Sequence, residues 1–121
     1  MKKKKTIKQK KAEGQKLTFF ITEDDVIHNL KIASIIAEES QFEFVEKAVS
    51  DRIKEKKFAS SIKLKDKTYK EREQFGAKRI WFYMDNDLLR KMKDVYDFIG
   101  EKKLEFIEKA VMERINEFIK K

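Results

Sequence analysis

The sequence contains no cysteine and no proline, and its 121 residues include one histidine and three glycines. A chain without cysteine cannot form a disulfide framework, a thiolate zinc site or a cysteine nucleophile. The glycines, at positions 14, 76 and 100, fit neither a phosphate-binding loop nor a dinucleotide-binding motif. We therefore expect no enzyme activity, no cofactor and no metal. The lack of proline leaves long helices possible.

Long apolar runs are also missing. No stretch approaches the roughly 18 to 20 consecutive apolar residues that a membrane span requires. The basic residues at the start of the chain continue into more lysine and not into the apolar core of a signal peptide. We expect a cytoplasmic, nucleoid-associated protein that does not enter a membrane.

Charge is abundant but uneven. The chain has 30 Lys and Arg against 22 Asp and Glu, a net charge of +8, and eight of the lysines lie in residues 1–16. A start so rich in lysine and poor in apolar side chains predicts a disordered basic arm over residues 1–13. Such an arm is either a solubility tail or a segment that follows a phosphate backbone, and the second is favoured. The lysines expected to contact phosphate are Lys2, Lys3, Lys4, Lys5, Lys8, Lys10 and Lys11.

The strongest signal is an internal repeat at a spacing of 62 residues. Residues 43–55 and 105–117 are identical at nine of thirteen positions, and the same spacing pairs Gly14 with Gly76 without a gap. Each copy has a short β-prone run, an acidic turn and two amphipathic helical segments. The sequence therefore predicts two units, residues 14–57 and 76–121, joined by a charged linker over residues 58–75. The glutamates of the second helices, such as Glu46 and Glu108, are expected on solvated faces.

A single strand with two short helices cannot enclose a core, so the units are expected to pair through their strands into one folded domain. This strand-helix-helix pattern resembles the ribbon-helix-helix family of DNA-binding proteins, the Arc, MetJ and CopG type, with two units fused in one chain. The resemblance implies a mainly α fold with a short two-stranded antiparallel β-ribbon, in the order β-α-α-linker-β-α-α. It also implies that the ribbon enters the major groove of double-stranded DNA and that helix starts meet phosphates.

The expected base-reading residues are those on the outward side of the ribbon. In the second strand, alternation places Arg79, Trp81 and Tyr83 outward, and Arg79 suits bidentate binding of guanine. The first strand is open to two registers. The ungapped repeat sends Leu17, Phe19 and Ile21 outward. The polar-outward habit of the family sends Lys16, Thr18 and Phe20 outward, which avoids exposing three large apolar side chains, and this second register is favoured.

Phosphate contacts are expected at the start of each second helix, from Ser40 and Gln41 in the first unit and Lys102 and Lys103 in the second. The predicted function is sequence-selective binding of double-stranded DNA, most simply in transcriptional regulation of a plasmid or mobile element, as a monomeric pseudo-dimer or a homodimer. Two alternatives stay open: an accessory factor in plasmid transfer or segregation, and a protein-protein adaptor or antitoxin-like module that uses an aromatic ribbon face.

Overall fold

The computed structural model describes residues 14–55, 64 and 66–119. Two strands and five helices are present in these ranges, so the predicted mainly α fold with a two-stranded antiparallel sheet is confirmed. In chain order the elements are β1 (Gln15–Thr22), α1 (Asp24–Ile36), α2 (Gln41–Glu55), α3 (Tyr69–Gln74), β2 (Lys78–Asp85), α4 (Asn86–Ile99) and α5 (Lys103–Phe118).

The two strands pair in a register that agrees with the 62-residue repeat. Phe19 lies directly opposite Trp81, and these residues occupy equivalent positions in the two copies. Because the strands are antiparallel, every other equivalent pair is then placed symmetrically about this centre. The ribbon is therefore close to two-fold symmetric, and it forms within one chain.

Four buried phenylalanines form the centre of the core beneath the ribbon. Phe20 and Phe82 extend from the strands, and Phe44 and Phe106 extend from α2 and α5, each exposed by 1% or less. The rings of Phe20 and Phe82 meet edge to face with centroids 6.0 Å apart. Both halves of the chain therefore contribute equally to a single core.

Helix ends follow the local sequence. Ser40 Oγ accepts a hydrogen bond from Glu43 N at 3.1 Å, and the Glu43 carboxylate accepts one from Ser40 N at 3.3 Å, which forms a capping box at the start of α2. Gly100 ends α4 with a φ of 79°. At the equivalent position after α1 the chain has Glu38, which adopts a φ of 58°. The first copy thus has a side chain where the backbone favours glycine.

Two equivalent arginines join the copies at the far side of the core. Each lies over a core phenylalanine, with Arg52 4.5 Å from the Phe106 centroid and Arg114 4.3 Å from that of Phe44. Each also binds carboxylates at equivalent positions: Arg52 binds Glu101 and Glu113, both at 2.8 Å, and Arg114 binds Glu39 at 2.7 Å and Asp51 at 3.7 Å. The same contact is therefore made twice, once in each direction between the copies.

These contacts change the titration of the carboxylates. Burial raises the pKa of Glu39, but hydrogen bonds from Arg114 and Lys47 more than offset it, so the pKa lies below its ordinary value. The pKa of Glu101 is lowered in the same way, where burial is outweighed by Arg52 and Lys109. Both carboxylates are therefore charged in the folded protein at neutral pH.

The predicted linker contains a helix that the repeat pattern did not indicate. α3 begins after Thr68, whose Oγ1 accepts a hydrogen bond from Glu71 N at 3.2 Å. Arg72 of this helix is 4% exposed and binds the carboxylates of Glu23 and Glu108. Glu108 is 1% exposed, so the expectation that it lies on a solvated face is wrong, because Arg72 neutralises it inside the protein.

Candidate nucleic-acid interface

The outward side of the ribbon is the first part of the candidate interface. Arg79 and Trp81 are exposed and Tyr83 is half-buried, while Phe82 and Met84 between them are buried. The alternation predicted for the second strand is therefore confirmed. None of the described helices covers Trp81, which remains 49% exposed at the centre of the ribbon.

The facing predicted for the first strand is wrong. Thr18 and Phe20 are 2% and 0% exposed and face the helices, and Lys16 lies on the same side, opposite Met84. The ungapped repeat gives the observed register, with Leu17, Phe19 and Ile21 on the outward side.

The argument against this register was that it would expose three large apolar side chains, and tertiary contacts cover most of them. Ile21 is only 3% exposed, although it points outward. The α3 segment packs against β1, and we attribute the burial of Ile21 to it. Phe19 packs on Trp81 with ring centroids 4.8 Å apart. Only Leu17, 53% exposed, remains as an uncovered apolar side chain of the first strand.

Arg79 is held in place by two neighbours. Its Nε donates to Glu73 Oε2 at 3.0 Å, and its guanidinium carbon lies 5.2 Å from the centroid of Phe19. Glu73 belongs to α3, so the linker neutralises the ribbon's best candidate for reading guanine. In the described part of the chain no carboxylate binds the two outer nitrogens of Arg79, which leaves both of them available to a base edge while Nε stays on Glu73.

The second part of the candidate interface is formed by the starts of α2 and α5. Ser40 and Gln41 lie at the start of α2, and Lys102 and Lys103 at the start of α5, as expected for these four residues. Ser40 is engaged in the capping box of α2, and Lys102 N donates to Glu105 at 3.3 Å. The other N–H groups of each first turn lack acceptors within their own helix, as at any helix start.

A basic cleft lies beside the start of α5. It has a volume of about 340 Å³ and combines Lys16 of β1 with Arg90, Lys93 and Lys103 of the helices. Arg90 pairs with Asp87 and Lys93 with Asp97, but in the part of the chain that the structure describes no carboxylate pairs with Lys16 or Lys103. Burial lowers the pKa of Lys103. Lys103 is therefore a partly desolvated cation, a state that an anion in the cleft would relieve.

Arg90 and Lys93 were not among the residues expected at the interface. They lie on the exposed side of α4, one helical turn apart, where charged residues are ordinary. Only the packing of α4 against α5 brings them to Lys103. The equivalent positions of the first copy, His28 and Lys31, also have nitrogen-bearing side chains, so the repeat places such residues here in both copies. That similarity does not indicate that the two side chains line a cleft with Lys103.

The equivalent region of the first copy has a different charge. Lys78 takes the place of Lys16, and it pairs with Asp24 at 3.1 Å. Gln41 takes the place of Lys103. Both helix starts donate a backbone N–H to a glutamate three residues later, but their charge differs, because the lysines are at α5.

The predicted basic arm, which includes Lys2 to Lys5 and Lys8, Lys10 and Lys11, lies outside the described residues. Within the ranges that the structure describes, no group of three or more His, Cys, Asp or Glu residues is arranged to hold a metal ion. Of the helices described, none has the length and apolar character needed to cross a membrane.

No protein-family model, no curated protein and no solved structure matches this chain. The chemistry of the interface must therefore be inferred from its own residues.

Proposed function

We propose that this protein binds double-stranded DNA as two ribbon-helix-helix units fused in one chain, and that it acts as a transcriptional regulator. The observation that carries the proposal is a two-stranded ribbon whose outward side is exposed at Leu17, Arg79 and Trp81, supported by helices from both copies, beside a basic cleft at the start of α5. Neighbouring strands lie about 5 Å apart, so such a ribbon fits the major groove, which is about 12 Å wide.

In this proposal the parts of the interface have different tasks. Trp81 and Phe19 contact thymine methyl groups and sugars at the centre of the site, and the two outer nitrogens of Arg79 bind a guanine. Lys103 and Lys16 bind a backbone phosphate at the α5 end. Phosphate binding is then stronger on one side of the site than on the other, since Gln41 replaces Lys103 in the first copy.

The single tryptophan offers a direct test, because Trp81 lies at the centre of the ribbon. A preferred duplex is first selected from a randomised pool and then titrated into the full chain while the emission of Trp81 is followed. Insertion of the ribbon into the groove predicts a change in emission that saturates with binding measured by anisotropy of a labelled duplex. The Trp81→Phe protein controls for signals from other sources.

Binding that saturates without any change in Trp81 emission would contradict the insertion of the ribbon.

A second comparison separates specific from general affinity. Arg79→Ala should reduce the ratio of affinities for the selected and random duplexes, whereas Lys91→Ala, at an exposed position of α4 outside the cleft, should leave that ratio unchanged.

Salt dependence tests the arm within the same proposal. Replacing Lys2, Lys3, Lys4 and Lys5 with glutamine should flatten the slope of log K against log salt by roughly 0.9 for each phosphate that the arm no longer neutralises. An unchanged slope would remove these lysines from the interface.

A second candidate function is a docking surface for a protein partner, as in an antitoxin or an adaptor. The observation that favours it is the apolar character of the ribbon: Leu17 and Trp81 are 53% and 49% exposed, and Arg79 is already neutralised by Glu73. This candidate predicts that DNA affinity comes from the lysines alone. Trp81→Ala would then leave the affinity for the selected duplex and the affinity for random duplexes unchanged.

A further inference from the structure

The two halves of the ribbon are equivalent in register but present different side chains on the outward side. The centre of the ribbon is the pair Phe19 and Trp81, which lie opposite each other. Two residues before this centre, β1 has Leu17 and β2 has Arg79, and the 62-residue repeat makes these two positions equivalent. Because the strands are antiparallel, Leu17 and Arg79 lie toward opposite ends of the ribbon, at the same distance from its centre.

Both of these side chains are accessible. Leu17 is 53% exposed, and the side chain of Arg79 is 50% exposed. Arg79 Nε donates to Glu73, and the guanidinium carbon lies 5.2 Å from the ring centroid of Phe19, so the arginine is held beside the centre of the ribbon. Its two outer nitrogens match O6 and N7 of guanine, whereas leucine has no donor and suits only the methyl group of thymine. The two equivalent positions therefore favour different bases.

The basic cleft lies toward the end of the ribbon that is far from Arg79. Lys16 belongs to that far end, and it lines the cleft together with Lys103. At the Arg79 end the equivalent of Lys16 is Lys78, whose ammonium group pairs with Asp24 at 3.1 Å. Among the residues that the structure describes, the arginine suited to a base and the lysines without a carboxylate partner are therefore in opposite halves of the interface.

We propose that the protein binds an asymmetric DNA site in one fixed orientation, although its own backbone register is close to two-fold symmetric. This inference rests on the proposed function. One half of the site presents a guanine to Arg79, and the other half is held through its phosphates by Lys16 and Lys103, with an apolar base contact at Leu17. Residues along a strand and base pairs along DNA both rise by about 3.4 Å, so the guanine lies about two base pairs from the centre of the site.

Selection from a randomised pool of duplexes tests the asymmetry. The unsubstituted chain should enrich sites with a guanine in one half and none at the two-fold-related position of the other half. Leu17→Arg should enrich a guanine in both halves, which makes the site palindromic. The new arginine is expected to lie beside Trp81, as Arg79 lies beside Phe19. As a control, Ile35→Arg adds the same charge to α1 at a position that is 75% exposed and outside the ribbon, and it should enrich the unchanged asymmetric site.

Affinities for the selected duplex give the size of the effect. Replacing the guanine assigned to Arg79 with adenine should weaken binding by about 5- to 100-fold, whereas a base exchange at the related position of the other half should change it by less than about 3-fold. Arg79→Leu should remove this difference between the two halves. Circular dichroism of each variant checks that the fold is retained.

Neutral methylphosphonate linkages, placed in one half of the duplex at a time, test the orientation. They should weaken binding more in the half without the guanine, and Lys103→Gln should reduce that difference. The inference is overturned if the unsubstituted chain enriches a palindrome, or if the stronger dependence on phosphates lies in the guanine half, and either result leaves the proposed DNA binding intact. If no sequence is enriched, the proposed sequence-selective function fails, and the inference that rests on it fails with it.

Discussion

Removal of Arg72 should destabilise the protein more than removal of any exposed charge, because it leaves a carboxylate buried without a counter-charge. Arg72 and Glu108 are 4% and 1% exposed. Burial would lower the pKa of Arg72, but hydrogen bonds from its guanidinium to Glu108 and Glu23 raise it above its ordinary value. In Arg72→Leu the Glu23 carboxylate can turn toward water, whereas the one partner that Glu108 keeps among the described residues is the hydroxyl of Tyr69.

The size of the effect follows from these contacts. Breaking a buried ion pair by removing one partner costs about 3 to 5 kcal/mol. For a domain of this size, we expect the Tm to fall by roughly 10 to 20 °C. The measurement is urea unfolding followed by circular dichroism, with thermal melts in parallel. Lys70→Leu, at an exposed position of the same helix, is the matched control and should change the free energy of unfolding by less than about 0.5 kcal/mol.

The double variant Arg72→Leu/Glu108→Leu provides the decisive comparison. Replacing both members of a buried ion pair with apolar side chains of similar size is often neutral. The double variant should therefore be more stable than Arg72→Leu alone. If the double variant is instead less stable than the single one by the ordinary cost of a second core substitution, the loss does not come from an uncompensated charge and the reasoning fails.

Four further predictions concern the ribbon and the helix ends. Thr18→Val should raise the free energy of unfolding by about 1 kcal/mol, since Thr18 Oγ1 is buried with no partner among the described residues; equilibrium unfolding in urea measures it, and a decrease would contradict it. Phe20→Ala should cost about 3 to 5 kcal/mol and Leu17→Ala less than about 1, and equal costs would reverse the assigned facing. Glu38→Gly should add about 0.5 to 1 kcal/mol, since glycine adopts the positive φ at this position without strain; an unchanged Tm would refute this. Glu39→Gln should be less stable than the unsubstituted protein by the largest margin near pH 7 and by little near pH 3. The reason is that a carboxylate whose pKa is lowered by folding stabilises the protein above its unfolded pKa of about 4.3 and stops doing so as the pH falls through its folded pKa. A difference in Tm that is constant with pH would contradict this.

The ribbon has an apolar surface and the cleft beside it has a basic one, and in the proposed function each contributes a different part of DNA binding. The outward side of the ribbon is aromatic and apolar at the centre, and its only arginine is bound to Glu73. Among the described residues, the uncompensated positive charge of the interface lies to one side, at Lys16 and Lys103. In the proposed function, general affinity comes from the lysines, and discrimination between sequences depends on Trp81 and Arg79.

Local patterns predicted the elements that repeat. The alternation in residues 78–85 placed Trp81 outward and Phe82 inward, and Ser40 with Glu43 marked the start of α2, because each depends on side chains within a few residues. The facing of β1 could not be decided in this way. The two possible registers of β1 place different apolar residues on the outward side, where another segment must bury them. We attribute the burial of Ile21 to α3, which lies more than 40 residues away in the sequence.

The sequence by itself determined the mainly helical composition, the two-fold repeat of strand and helices, and the uneven distribution of lysine. These follow from periodicity and charge, which are properties of neighbouring residues. Only the tertiary structure decided that Arg72 is buried with Glu108, that Glu73 neutralises Arg79, and that Lys16 joins Lys103 in one cleft. The first and the last depend on which distant segments meet when the core closes, and the Glu73–Arg79 contact, between residues six apart, depends on how α3 turns back beside β2. The energy of a charge depends on that environment far more than on its neighbours in sequence.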